Sequence, residues 1–164
     1  MANINDKFLA AIGSVTVEFA TLEDQLATAV CWLLVGNELE NQTTGRIAFA
    51  ELSFKNGVHM FGSLFRHRFA DRDDTELKSV CAELFKAEQV RNTIIHSSWA
   101  LADEHQILRV KTTAKGKLKS NNELLTVTEI QAIASQIHSA AERLLNFQCI
   151  SSGILGLDDP PLTL

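Results

Sequence analysis

Apolar residues in the first part of the chain recur every three or four positions, which is the spacing of one face of an α-helix. The pattern predicts one helix about 45 Å long, at about 1.5 Å per residue. It ends at Gly36-Asn37, since glycine and asparagine commonly close helices. A helix of this length needs packing partners along its whole face. Its apolar stripe comprises Phe8, Ile12, Val15, Phe19, Leu22, Leu26, Val30 and Leu33.

Two more helical regions follow the first helix. The second begins near Glu38 and is expected to break near Ser53, whose side chain can cap a new apolar stripe. The third begins at Asp73, because Asp73 and Glu76 have the three-residue spacing of a capping box. We expect this third region to continue to about Ser97.

The helical period disappears between about residues 98 and 127, where strand-forming residues take over. Asp103-Glu104 and Lys115-Gly116 are typical of the turns between such strands. A last helix follows, for which Thr126 and Thr128 are both candidate N-caps. The strand-forming residues are Trp99, Leu101, Ile107, Leu108, Val110, Thr112 and Thr113.

This element order predicts an all-α fold, a bundle of four or five helices with a small antiparallel β-hairpin or meander inserted before the last helix. Residues 1–148 form a single domain in this interpretation, since no internal repeat or linker interrupts them. Residues 149–164 have no apolar period and contain both prolines of the chain. We therefore expect a flexible or docking C-terminal tail there.

Composition narrows the class of protein. The 164 residues include 20 Asp and Glu against 15 Lys and Arg, a formal charge of −5, and 46% of the residues are apolar. Those proportions exclude a disordered chain, a collagen-like chain and a highly basic tail protein. The three cysteines are scattered without a Cys-x-x-Cys motif, so we expect reduced thiols rather than disulfides or a zinc site.

The sequence lacks the usual signals for export, membrane insertion and cofactor binding. Asp6 and Lys7 come too early for a signal peptide, and the apolar run 29–35 is far shorter than the ~20 residues of a membrane span. Neither a Gly-rich phosphate loop nor a Gly-x-Ser-x-Gly motif occurs. We expect a cytoplasmic protein with no membrane contact, no cofactor and no metal.

Polar residues interrupt the apolar stripe of the third helical region. At about 100° per residue, Glu88, Arg91 and Asn92 fall within about 60° of Leu77, and His96 lies on the flank. A charge on a buried stripe costs several kcal/mol unless it is paired or meets water. Glu88 can pair with Arg91, and the Asn92 amide can reach the His96 imidazole. The cluster is either a buried network that fixes helix packing or a site at a cleft or subunit interface.

The string Arg91-Asn92-Thr93-Ile94-Ile95-His96 resembles the motif of the HEPN superfamily, in which a polar residue, often asparagine, follows the arginine and a histidine closes the motif. The segment 51–55 and the context through Trp99 are similar to bacterial HEPN-like proteins. The long first helix and the last helix also fit the family's bundle, so the resemblance covers about residues 1–148. It implies a homodimer whose two motifs face one cleft and, in many members, a metal-independent ribonuclease.

The residue types suit RNA cleavage, in which the substrate's own 2′-OH is the nucleophile. His96 is expected to act as base or acid, since its ordinary pKa lies close to neutrality. Arg91 is expected to bind the phosphate, Asn92 to orient His96 or the substrate, and Glu88 to support Arg91. One helix supplies one histidine, so the second would come from a two-fold partner. The resemblance also implies a toxin or defence role, sometimes beside a nucleotidyltransferase-like antitoxin.

A basic segment follows the motif, although the net charge of −5 gives no global attraction to nucleic acid. Between residues 106 and 122 there are five basic residues and no acid. The segment is either a solvated hairpin or an RNA-binding rim that tracks phosphates. The five residues are Arg109, Lys111, Lys115, Lys117 and Lys119.

A non-catalytic function is the alternative that the sequence leaves open. The fold of the HEPN superfamily also occurs as a scaffolding or ligand-binding dimer. The polar cluster would then specify helix pairing, and the chain would bind a protein or nucleotide partner without chemistry.

Overall fold

A computed structural model describes residues 4–36, 39–114 and 116–154 of the chain. Within these ranges the protein forms five α-helices and one three-stranded antiparallel sheet, which lies between the last two helices. The predicted all-α fold with a meander before the last helix is confirmed. The helices are α1 Asp6–Val35, α2 Leu39–Ala50, α3 Phe54–Arg68, α4 Thr75–Ile95 and α5 Val127–Ile154, and the strands are β1 Ser98–Leu101, β2 Ile107–Ala114 and β3 Leu118–Leu125.

Helix α1 is the centre of the bundle, because it packs against α2, α3, α4 and α5. Its predicted stripe is the buried face: Val15, Leu22, Leu26 and Val30 are all 0% exposed. Each such aliphatic side chain contributes about 1.5–3 kcal/mol when it is fully removed from water. None of the helices in the described ranges combines the length and the apolar character needed to span a bilayer.

Two predicted helix starts are confirmed by their caps. The Ser53 hydroxyl accepts a hydrogen bond from the backbone N–H of Asn56 at 3.3 Å, which opens α3. At the start of α5, the Thr126 N–H donates to the Glu129 carboxylate at 2.8 Å, and the Glu129 N–H donates to the Thr126 hydroxyl at 3.2 Å. This reciprocal pair is a capping box, so Thr126 is the cap.

The start of α4 differs from the prediction. Helix α4 begins at Thr75, and the Asp73 carboxylate accepts from the Thr75 N–H at 3.1 Å instead of capping a helix that starts at Asp73. Glu76 does not close a capping box with Asp73, since its carboxylate accepts from Arg143 of α5 at 3.1 Å. The long-range ion pair between Arg143 and Glu76 therefore replaces the local contact between Glu76 and Asp73 that the spacing predicts.

The end of α5 also differs from the prediction. The helix runs to Ile154 and therefore includes the first residues of the predicted tail, 149–164. Its apolar stripe weakens before that point, as the exposed Leu145 and Ile150 show, but the sequence of α5 contains no proline. The remainder of the predicted tail, 155–164, lies outside the described residues.

The sheet has the order β1-β2-β3 and a continuous register. We call the face that carries Ile107 and Leu125, which pair and are buried against the bundle, the inner face. The opposite, outer face carries Leu108 and Leu124. Towards the β2–β3 turn the strands extend away from the helices, and both faces become exposed.

His138 of α5 links the two longest helices and gives a testable pH dependence. Its imidazole lies 3.0 Å from the Glu18 carboxylate of α1 and 3.5 Å from that of Glu142. The hydrogen bond to Glu18 and the charges of both carboxylates raise the pKa of His138 above its usual 6.5. The stabilisation is therefore fully present below pH 6.5 and is lost as the pH rises through the raised pKa.

We expect an NMR titration to place the His138 pKa above the usual 6.5 of a histidine side chain. The variant Glu18→Gln should move the His138 pKa down towards the ordinary value, because its strongest partner loses its charge. An unchanged His138 pKa in Glu18→Gln would show that this contact does not form.

Candidate functional site

His96 lies directly after the last residue of α4, as the C-cap of that helix. Its side chain is exposed, and its backbone N–H points at the Asn92 carbonyl at 3.4 Å. The chain then turns into β1 at Ser98. The imidazole is thus presented to solvent where a long bundle helix meets the sheet.

Arg91 is half-buried one turn before His96 and is held against α1. Its guanidinium carbon lies 4.9 Å from the centre of the Phe19 ring, and its Nη1 donates to the Asn92 side-chain oxygen at 3.0 Å. The Arg91 Nε is buried without a protein partner. A guanidinium over an aromatic face contributes about 0.5–2 kcal/mol, so the arginine is fixed before any ligand arrives.

Glu23 of α1 completes a charged cluster with Arg91 and Glu88. Partial burial raises the pKa of Glu23, the positive charge of Arg91 lowers it, and the negative charge of Glu88 raises it again. The Glu23 side chain is nevertheless exposed on its outer side. Sequence reasoning missed this residue, although Glu23 lies one turn after Phe19 on α1 and therefore shares the face that meets Arg91.

Two contacts predicted within the motif do not form in the described part of the chain. The Glu88 and Arg91 side chains make no ion pair, and the Asn92 amide makes no hydrogen bond to the His96 imidazole. The reason is that Arg91 turns across Phe19 and uses the neighbouring Asn92 as its partner. The structure therefore brings Arg91 and Asn92 together and leaves His96 separate.

The buried residues of α4 recur every seven positions, so the buried face turns slowly around the helix axis along its length. Leu77 and Leu84 form one row and Val80, Ala87 and Ile94 the other, and all five are buried. Arg91 continues the first row, seven residues after Leu84. A seven-residue repeat drifts by about 20° per repeat around a straight helix. Arg91 therefore still faces α1, where it contacts Phe19, and Glu88 and Asn92 flank it; all three residues are half-buried.

Arg109 has a structural position that the sequence did not reveal. Its side chain is buried on β2, where Nη1 donates to the Thr93 carbonyl of α4 at 2.9 Å and Nη2 pairs with Glu123 of β3. The guanidinium thus joins the sheet to the last turn of α4. Arg109 therefore differs from the exposed lysines of the predicted RNA-binding rim, because Nη1 and Nη2 bind groups inside the protein and Nε is buried without a protein partner.

The other basic residues of the hairpin remain accessible to differing degrees. Lys111 is half-buried, whereas Lys117 and Lys119 are exposed. Lys111 and Lys119 lie on the inner face beyond Arg109, since Lys111 pairs with Asn121 and Lys119 with Thr113. Lys115 lies outside the described residues.

A cleft of about 260 Å³ lies between α3 and α4, away from the motif residues, and is lined by His59, Arg66 and Cys81 among others. Burial raises the pKa of the Cys81 thiol, which keeps it protonated and unsuited to nucleophilic attack. In the ranges described, no three His, Cys, Asp or Glu side chains group in a way that could hold a metal ion.

Comparison of the chain with models of protein families, with curated proteins and with solved structures finds no match. Any function must therefore be argued from the residues and their geometry.

Proposed function

We propose that the protein is a metal-independent endoribonuclease of the HEPN type, with its site at the end of α4. The observation that carries the proposal is the exposed imidazole of His96, one turn after an arginine that is already oriented by Asn92. The resemblance of the same residues to the HEPN motif supports it.

The reaction needs only proton transfers and charge stabilisation. A base removes the proton of the 2′-OH, the oxygen attacks the neighbouring phosphorus, and the bond from phosphorus to the 5′-oxygen breaks as an acid protonates the leaving group. The products are a 2′,3′-cyclic phosphate and a free 5′-OH. His96 performs one proton transfer, and His96 of a second copy performs the other.

Arg91 supplies positive charge to the phosphorane, where charge develops in the transition state. Its hydrogen bond to Asn92 fixes the guanidinium and leaves other donors of the five available to phosphate. Lys111, Lys117 and Lys119 extend the positive surface along the hairpin and bind flanking phosphates.

Partners follow from the resemblance alone. A nuclease of this type is proposed to act as a homodimer on RNA, in a toxin or defence role, with a nucleotidyltransferase-like antitoxin as a further partner.

A non-catalytic dimer module is the second candidate, and a specific observation favours it. Arg91 already contacts Phe19 and Asn92, and the carboxylates of Glu23 and Glu88 stand in the same cluster, where they repel phosphate. In this case the cluster orients α4 against α1, and the chain binds a protein or nucleotide partner without cleaving anything.

Incubation of the purified protein with varied single-stranded and structured RNAs in EDTA tests the proposal. The nuclease should produce fragments that end in 2′,3′-cyclic phosphate, and His96→Ala protein purified in parallel controls for contaminating ribonuclease. If a dimeric wild-type sample leaves every RNA intact, the nuclease is rejected and the binding module is favoured.

A further inference from the structure

In the part of the chain that the structure describes, strand β3 is a free edge of the sheet. It pairs with β2 on one side, and it is the last strand in the order β1-β2-β3. Its residues from Leu118 to Leu124 are all exposed, and Leu118 and Leu124 keep 79% and 49% of their surface in water. The register with β2 is continuous, so no bulge bends the edge away. Such an edge is a template for another strand.

The side chains of β3 are sorted by charge and polarity between the two faces of the sheet. Lys119 and Glu123 lie on the inner face, opposite Thr113 and Arg109 of β2. Leu118 and Leu124 lie on the outer face, opposite Ala114 and Leu108. In a strand, residues separated by an even number of positions share a face.

The strand is also complementary to itself when it is reversed about Asn121. In an antiparallel pair of two β3 strands with Asn121 opposite Asn121, each Lys119 faces a Glu123 and each Leu118 faces a Leu124. Opposite residues of an antiparallel pair lie on the same face of a sheet, so both charges meet on the inner face and both leucines on the outer face. Shifting the register by one residue places Lys119 opposite Leu124 or Asn122, so both Lys119–Glu123 pairs and both Leu118–Leu124 pairs are lost.

We propose that β3 pairs antiparallel with β3 of a second copy of this chain, centred on Asn121, so that one continuous sheet runs through both copies. The pairing satisfies the free edge, removes Leu118 and Leu124 from water and forms two Lys119–Glu123 ion pairs. Arg109 engages one oxygen of Glu123, and the other oxygen of that carboxylate receives Lys119 of the second copy.

This interface lies away from the proposed catalytic residues, although it engages Lys119, which the proposed nuclease would also use to bind phosphate. His96 directly precedes β1, which would be the outermost strand at each end of the joined sheet. Neighbouring strands are about 4.8 Å apart, so the pairing would separate the two His96 residues by more than about 20 Å. The nuclease requires a different contact at the ends of α4. A chain that makes both contacts forms assemblies larger than a dimer.

Disulfide cross-linking tests the register, with no RNA present. In a Cys149→Ser background, Asn121→Cys should give a covalent dimer on mild oxidation, because the two substituted positions face each other. The matched control is Lys117→Cys, which is equally on the surface, but its two copies lie roughly 27 Å apart at about 3.4 Å per residue. Equal cross-linking of the two variants, or none at position 121, overturns the proposal.

Charge reversal tests the same interface without cysteine chemistry. Lys119→Glu sets a carboxylate opposite Glu123 at two places, which should weaken the dimer about tenfold in sedimentation at several concentrations. Lys117→Glu changes the net charge equally but lies outside the pairing, so it should dimerise like the wild type. A dimer that Lys119→Glu leaves unchanged, or a wild type that is monomeric at all concentrations, rejects self-pairing and leaves the edge to another protein's strand.

Discussion

Replacing Arg109 by alanine is expected to lower the free energy of unfolding by about 2–4 kcal/mol. The variant removes two donors at once, so the Thr93 carbonyl keeps only the Ser97 hydroxyl as a donor, the Glu123 carboxylate loses its ion-pair partner, and a cavity opens beneath the sheet. The loss stays below that of a fully buried ion pair because Glu123 is half-exposed and can be hydrated. Urea denaturation followed by circular dichroism measures it.

Two controls separate the hydrogen bonds of Arg109 from its packing. Arg109→Met fills much of the same space without donors, so it should recover the cavity part of the loss but not the hydrogen bond to the Thr93 carbonyl or the ion pair with Glu123. Lys117→Ala removes a basic residue that is exposed in the turn, and its stability should stay within about 0.5 kcal/mol of the wild type. If Arg109→Ala is as stable as Lys117→Ala, the link between sheet and helix does not form.

Replacing His96 by alanine is expected to lower the rate of RNA cleavage by more than about 10²–10⁴-fold, the usual contribution of one positioned acid or base, because the variant removes both histidines of the proposed dimer. The side chain is exposed at the C-cap of α4, so the free energy of unfolding should change little. Rates with labelled RNA in EDTA measure the effect. His105→Ala removes an equally exposed histidine, from the β1–β2 turn, and is the matched control.

The pH dependence distinguishes two acting histidines from one. If His96 of one copy acts as base and His96 of the other as acid, the rate should follow a bell-shaped curve and fall on both sides of its maximum. Cleavage that His96→Ala leaves at the wild-type rate excludes this residue from the chemistry.

The fold was predictable because local signals and burial agree along most of the chain. The stripe of α1 is buried where its spacing requires, and Thr126 and Glu129 form the capping box that their spacing predicts. The prediction failed at Asp73 and Glu76, which have the same spacing. There Arg143, far along the chain, binds Glu76, and a single-sequence pattern contains no information about such a partner.

The candidate site was predictable only in its position on the helix. The spacing of Arg91, Asn92 and His96 predicts that they lie near one another on one helix. The residues that orient Arg91 and set its electrostatic environment lie elsewhere in the sequence. Phe19 and Glu23 reach Arg91 from α1. The lysines that surround Arg109 in the sequence indicate an exposed position. In the structure Arg109 is buried, because its guanidinium donates to the Thr93 carbonyl of α4.

The bond between Arg109 and the Thr93 carbonyl has a structural consequence. The β2–β3 hairpin extends from the helical bundle. At its base, the Arg109 guanidinium binds the final turn of α4. Thr93 is the neighbour of Asn92, whose side chain binds Arg91. Binding of a partner at the hairpin therefore has a short covalent and hydrogen-bonded connection to the motif.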